Sequence, residues 1–298
     1  MTGNSRPAAR WSQLPLVRLV LLGLALAVTT VLATGVARWL VPPAPSPLHD
    51  WILLKNALLP VALLAVYALT VRLVERRPAA EVAVRPALAL FPAGLLLGVA
   101  AISCHVLVLV IAGSAHFSSG SGAADPLALG NEWLVPWLTA VGEELLFRAL
   151  LFRIAEEMLG TTAAVVISAV LFSLAHAANP GATPAALLAL ATGLGCLLAL
   201  SFAATRSLWF PIGLHMGWNL AEGFLYGLPD SGQLDPLRLA SIVVQGDPVL
   251  TGGDFGPEAS AVLVAVCLVL SALLLVIARR RGRWVPARPR LRNTHAGA

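Results

Sequence analysis

The chain has 298 residues, 58% of them hydrophobic and only 12% charged, with a mean hydropathy of +0.83. A soluble globular chain carries about 25% charged residues, and half that amount cannot cover a water-soluble body of this size. The composition therefore excludes a cytosolic enzyme, a nucleic-acid-binding domain and a disordered scaffold, and leaves an integral membrane protein.

An apolar run of about 20 residues crosses the hydrocarbon layer as a helix, and eight such runs are expected. The first, 17–40, follows an arginine-bearing lead (Arg6, Arg10, Arg18). Its apolar stretch is too long for a signal peptide and ends in no small-residue cleavage site, so a retained helix is expected. Runs 52–74 and 88–113 follow, the latter holding Cys104 and His105, which reads as a packing residue. Residues 114–132, rich in Ser and Gly, read as a flexible outer loop.

The fourth run, 133–155, contains Glu143-Glu144-Leu145-Leu146-Phe147-Arg148. Charged groups within the hydrocarbon layer cost about 2.5–3.5 kcal/mol each on insertion scales. Glu144 and Arg148 share a helix face at i, i+4 and can neutralise each other. Glu143 points about 100° away and has no cation near it in sequence. An unpaired carboxyl in a low-dielectric site suits general-base work near neutral pH. The bland alternative is a packing ion pair, with Glu143 facing a water-filled crevice.

The fifth run, 162–178, carries Phe172-Ser173-Leu174-Ala175-His176, and the sixth, 184–204, is apolar. The seventh, 208–227, carries His215-Met216-Gly217-Trp218-Asn219. The i, i+4 spacing there places imidazole and carboxamide on one face, where they can bind a metal, stabilise an oxyanion or hydrogen-bond another helix. The loop 228–258 holds Asp230, Asp235, Asp247, Asp254 and Glu258, and is long enough to cover a site. The eighth run is 260–278. Cys104, Cys196 and Cys267 lie in apolar stretches without a CxxC, which predicts buried, inert thiols.

All but one of the 20 basic residues are arginine, Lys55 being the exception, and they sit mostly at span ends. With the N-terminus inside, Arg6, Arg10, Arg18, Arg72, Arg76, Arg77, Arg85, Arg153, Arg206 and the tail arginines fall on one side, against Arg38, Lys55 and Arg238 on the other. That bias predicts an even number of spans in the plasma membrane with both termini cytoplasmic, and most acids in the outer loops. The pI near 9.8 is thus topology information and implies no nucleic-acid partner.

Two carboxylates, two imidazoles and a carboxamide in one apolar bundle match a hydrolase inventory: a base, an orienting group and oxyanion donors. No Gly-x-Ser-x-Gly elbow and no His-Glu-x-x-His motif occurs. On helical rise alone, Glu143, His176 and His215 differ in depth by about 10 Å, which tilt must absorb if one cavity holds them all.

Glu143-Glu144-x-x-x-Arg148, Phe172-x-x-x-His176 and His215-x-x-x-Asn219, in this order on separate spans, resemble the CPBP (Abi) family of CAAX-processing and bacteriocin-processing intramembrane endopeptidases. The resemblance runs from about Glu132 to Asn219, and residues 250–260 also look like the segment before the last helix in bacterial members. It implies an all-α polytopic membrane protein with an intramembrane polar cavity. Residues 1–130 would form helices 1–3, 131–278 the catalytic core and 279–298 a basic cytoplasmic tail. By the same resemblance Glu143 activates water, assisted by His176, while His215 and Asn219 bind the oxyanion. Glu144 and Arg148 hold the helix and tune Glu143. A zinc version would make the histidines ligands; the residue set favours the metal-free glutamate mechanism. The implied partners are the lipid bilayer and a membrane-associated peptide or protein substrate. The alternatives are a non-proteolytic scaffold or immunity protein of the same fold, and a proton-coupled transporter, which the lack of matched Gly/Pro-broken half-helices disfavours.

Overall fold

A computed structural model describes residues 14–40, 50–118, 126–234 and 237–287. Arg6 and Arg10 of the lead, Asp235 of the acidic loop and Arg288, Arg290 and Arg292 of the tail lie outside the described residues. The chain is an all-α, polytopic membrane protein. Helix α1 (Pro15–Leu40) is followed by α2 (Asp50–Thr70), which continues through a π-helical turn at Val71–Glu75. Next come α3 (Val84–Ile111), a strand β1 (Ala115–Ser118) and α4 (Pro126–Glu144). Helix α4 runs on through a π-helical stretch, Leu145–Phe152, into α5 (Arg153–Leu159), and α6 (Thr161–Ala175) follows. Helix α7 (Pro184–Leu190) joins α8 (Cys196–Thr205) through a π turn at Ala191–Gly195. Helix α9 (Trp209–Asn219) continues as π helix through Leu225. Strand β2 (Ser241–Val244), the short α10 (Pro248–Thr251) and α11 (Ala261–Arg280) complete the order.

Five segments are long and apolar enough to cross a membrane: Pro15–Leu40, Ile52–Glu75, Val84–Ile111, Pro184–Thr205 and Ala261–Arg280. The other three expected spans also form helices, but Thr161–Ala175 and Trp209–Leu225 are shorter and α4 carries internal charge. These three carry the polar motifs. Helix α9 lies in the middle of the bundle, every residue from Pro211 to Asn219 being buried, whereas α4 and α6 each keep an exposed apolar face, with Trp133 and Val135 on α4 and Val166, Val170 and Leu174 on α6. The outer helices likewise show apolar faces at i, i+4 spacing, as with Leu16, Val20, Leu24 and Val28 on α1, a pattern suited to lipid.

Helices α3 and α9 touch backbone to backbone. Gly94 and Gly98 on α3 meet Gly213 and Gly217 on α9, a facing pair of Gly-x-x-x-Gly motifs. A Cβ at Gly98 would stand 2.2 Å from the Leu214 carbonyl oxygen, and one at Gly217 2.2 Å from that of Leu95. Between helices in lipid, where no hydrophobic force drives association, small residues permit such close approach and the dispersion contact it brings.

Three expectations need correction. The stretch 114–132 is not simply a loop: β1 pairs antiparallel with β2, Ala115 opposite Val244, and α4 begins at Pro126. The acids are not confined to the outer loops, because Glu75, Glu81, Glu156 and Glu157 sit on the arginine-rich face. Arg153 bonds both oxygens of Glu75 at 2.6 and 2.7 Å, Arg77 joins Glu75 to Glu81, Arg206 pairs with Glu156 and Arg18 with Glu157. Partly buried arginines at helix ends need counter-charges, so these residues tie α1, α2, α5 and α8 together besides setting orientation. Finally, Cys104 is exposed on the face of α3, while Cys267 is buried; all three thiols are free.

Candidate active site

The motif residues converge. Glu143 and Glu144 end α4 just where the helix widens into the π stretch Leu145–Phe152, and Asn219 ends α9 just before its own π turn. π-Helical turns cost regular i→i−4 bonding and are found frequently at functional sites. Here they directly follow Glu143-Glu144 and Asn219.

Glu144 and Arg148 are wholly buried and paired at 2.8 Å, as the i, i+4 spacing predicts. Arg148 also donates to the Gly195 carbonyl at 3.3 Å and lies over the Phe172 ring, 4.7 Å from its centroid. The same Phe172 ring sits 5.8 Å from the imidazole of His215 and 4.9 Å from that of His176. Phe172 thus spaces the arginine and both histidines, which gives its place in the second motif a physical reason.

The hydrogen bonds decide the ring protons. His176 Nδ1 is 2.8 Å from the Phe172 carbonyl oxygen, which can only accept, so Nδ1 donates and Nε2 is bare in the neutral ring. His215 Nδ1 likewise donates to Glu144 Oε1 at 3.1 Å. Its Nε2 stands 3.9 Å from Glu143 Oε2, too far for a hydrogen bond but spaced so that one oxygen atom can bond both. Glu143 keeps 28% of its side chain exposed, against none for Glu144. Two adjacent glutamates therefore have separate surroundings, one sealed against arginine and one open.

Glu143, His176, His215 and Asn219 all line one cavity of about 260 Å³. The depth difference expected from helical rise is absorbed by the packing of the three helices. The acidic loop does cover this site: Asp230, Ser231 and Gln233 form part of its wall, and Asn179 Nδ2 holds the loop through the Ser231 carbonyl at 2.9 Å. The Oδ1 of Asn219 and the Oε2 of Glu143 are buried without a hydrogen-bond partner among the described residues.

The family model for Rce1-like type II CAAX prenyl endopeptidases matches residues 127–221. That segment is CAAX-protease-like. The match covers all three motifs and ends two residues after Asn219, so the resemblance read from the motifs stands over this stretch. No curated protein and no solved structure gave a significant match.

Within the CAAX-protease-like segment, a zinc ion on the motif residues does not fit the geometry. Among the described residues, only Glu222, Asp230 and Glu258 bring three ligand atoms within 4.8 Å of one another. Glu143, His176 and His215 form no such group.

Several cavity residues were not singled out from the sequence. Asn131, Glu132 and Thr139 line the wall on the same helix as Glu143. Thr139 stands four residues before Glu143, and Glu132 seven before Thr139, a polar stripe of helical period in an apolar run. Asn179 stands in the sequence as the start of a turn-forming Asn179-Pro180-Gly181 break and carries no catalytic pattern of its own.

Proposed function

We propose that this protein is an intramembrane endopeptidase that hydrolyses a peptide bond in a membrane-associated protein or peptide. The observation that carries this reading is the open Glu143 carboxylate, 3.9 Å from His215 Nε2, in a cavity also walled by His176 and Asn219. A water bonded to Glu143 and to the bare Nε2 of His176 is set to attack a carbonyl carbon. Glu143 takes the water proton as the C–O bond forms. The resulting oxyanion is held by the Asn219 amide and by His215, which donates from Nε2 when both its nitrogens carry protons. Collapse of the tetrahedral intermediate breaks the C–N bond, and the leaving amine takes the proton from Glu143. Glu144 and Arg148 touch no reacting atom; they position the His215 ring and the helix that presents Glu143.

The proposed setting is the plasma membrane with both termini cytoplasmic, as the arginine bias implies. The test compares membrane-anchored and secreted peptides processed by purified, liposome-reconstituted protein with those processed by Glu143→Gln. Wild type should cleave, and the variant should lose cleavage by about 10²–10⁴-fold while keeping its melting curve. Equal cleavage by the two proteins overturns the role given to Glu143. A wild-type protein inert towards every membrane substrate favours the scaffold reading instead.

A further inference from the structure

Three carboxylates from distant points of the chain meet beside the cavity. Glu222 comes from the π turn that continues α9, Asp230 from the outer loop and Glu258 from the turn that leads into α11. Their oxygens lie within 4.8 Å of one another. Glu222 is completely buried, and neither of its carboxylate oxygens has a hydrogen-bond partner among the described residues. Glu258 is also buried and accepts a hydrogen bond from the Ser231 hydroxyl.

Buried charges are paired or coordinate metals, and no cation among the described residues pairs with Glu222. The backbone around the group is fixed rather than loose. Asp230 and Gln233 exchange N–H···O bonds at 2.8 Å, and Gly232 N–H bonds the Phe255 carbonyl at 2.7 Å. An all-oxygen donor set suits hard cations. Oxygens on opposite sides of one calcium ion stand about 4.6–5.2 Å apart, from bond lengths of 2.3–2.6 Å, which the observed spacing meets.

We propose that Glu222, Asp230 and Glu258 bind one divalent cation, calcium, that clips the outer loop and the start of α11 to the helix bearing His215 and Asn219. The ion shares a wall with the cavity, since Asp230 lines both, and Glu222 is three residues beyond Asn219. It touches no reacting atom. Its place at the end opposite the Arg18, Arg77, Arg153 and Arg206 network is the outer face under the orientation proposed above, where free calcium is plentiful. Sites of this kind outside cells hold calcium with dissociation constants of about 10⁻⁴–10⁻³ M.

The full chain, purified in detergent after chelation, is titrated with calcium, magnesium and zinc and followed by its melting temperature. Terbium, a calcium mimic, is followed in parallel by emission sensitised through Trp218, four residues before Glu222. A saturable rise of several degrees with calcium, with terbium emission displaced by calcium, is expected. Both signals should be lost in Glu222→Gln and in Asp230→Asn, the latter a half-buried position whose variant keeps the test open if the former fails to fold. Unchanged melting and no sensitised terbium emission in wild type would overturn the site, and would point to carboxyls sharing protons. Retained signals in Asp230→Asn, or a larger response to zinc than to calcium, would overturn it as well. None of these readouts depends on proteolysis, so the outcome is separate from that of Glu143→Gln.

Discussion

At the scale of single residues, the Glu144–Arg148 pair shows what a fully buried charge does and does not contribute. Taking both ions out of water costs about as much as their attraction returns, whereas removing one partner strands the other at a cost of about 3–5 kcal/mol. Glu144→Leu and Arg148→Met should each lower the melting temperature sharply, and the double variant should recover most of that loss. Cleavage should not recover with it, because Glu144 also holds His215 through Nδ1 at 3.1 Å. Melting curves and cleavage assays on the three variants read both effects, and an active double variant would remove Glu144 from the positioning of His215. This pair, and the contrasting freedom of Glu143, were legible in sequence because both follow from helical spacing alone. The central place of Phe172 was not. Its contacts with Arg148, His176 and His215 join three helices, and no spacing rule within one helix reports them.

At the scale of elements, the docking of α3 on α9 sets where His215 and Asn219 stand. The Cβ of an alanine at position 98 would lie 2.2 Å from the Leu214 carbonyl oxygen and 2.7 Å from the Trp218 amide nitrogen. Both are backbone atoms, which cannot swing aside as a flexible side chain can, so α9 itself must move. A displacement of about 1 Å in a catalytic group can cost about 10²-fold in rate. Gly98→Ala is therefore expected to cut cleavage about 10²-fold in protein that still inserts, measured on the reconstituted enzyme. Wild-type turnover in that variant would mean that the two helices do not position the site. Both Gly-x-x-x-Gly motifs can be found by eye, but which motif faces which is a long-range fact. The same limit hid the β1–β2 pairing, whose strands are more than a hundred residues apart. The helical stretches were legible because each follows a mostly apolar local run; α11 starts where expected, capped by Ser260, which accepts from Val262 N–H at 3.1 Å, whereas α3 and α4 begin earlier, at Val84 and Pro126.

At the scale of the whole molecule, the chemistry and the ionic scaffold occupy different ends. The cavity is covered by the acidic loop, while arginines and glutamates lock α1, α2, α5 and α8 at the other face. Reading those arginines only as topology markers missed this, because the partners of Arg153 and Glu75 lie 78 residues apart. The acid response of the fold follows from this face. Burial alone would raise the Glu81 carboxyl, but hydrogen bonds from Arg77 and the Tyr67 hydroxyl outweigh it and hold Glu81 below its ordinary value of 4.5. A carboxyl whose folded value is depressed binds its proton more weakly in the native state than in the unfolded one. Its contribution is therefore complete above about pH 4.5 and disappears as the pH falls through the folded value. Wild-type protein should lose thermal stability steadily on acidification through that window. Glu81→Gln should be less stable at neutral pH, because Arg77 loses one of its two carboxylates, and should fall less steeply below pH 4.5. Melting temperatures recorded from pH 3 to pH 7 on both proteins decide the matter. Parallel curves would show that the Glu81 ion pairs contribute nothing to the fold, and that the Glu75–Arg153, Glu156–Arg206 and Glu157–Arg18 pairs fasten this end of the bundle without them.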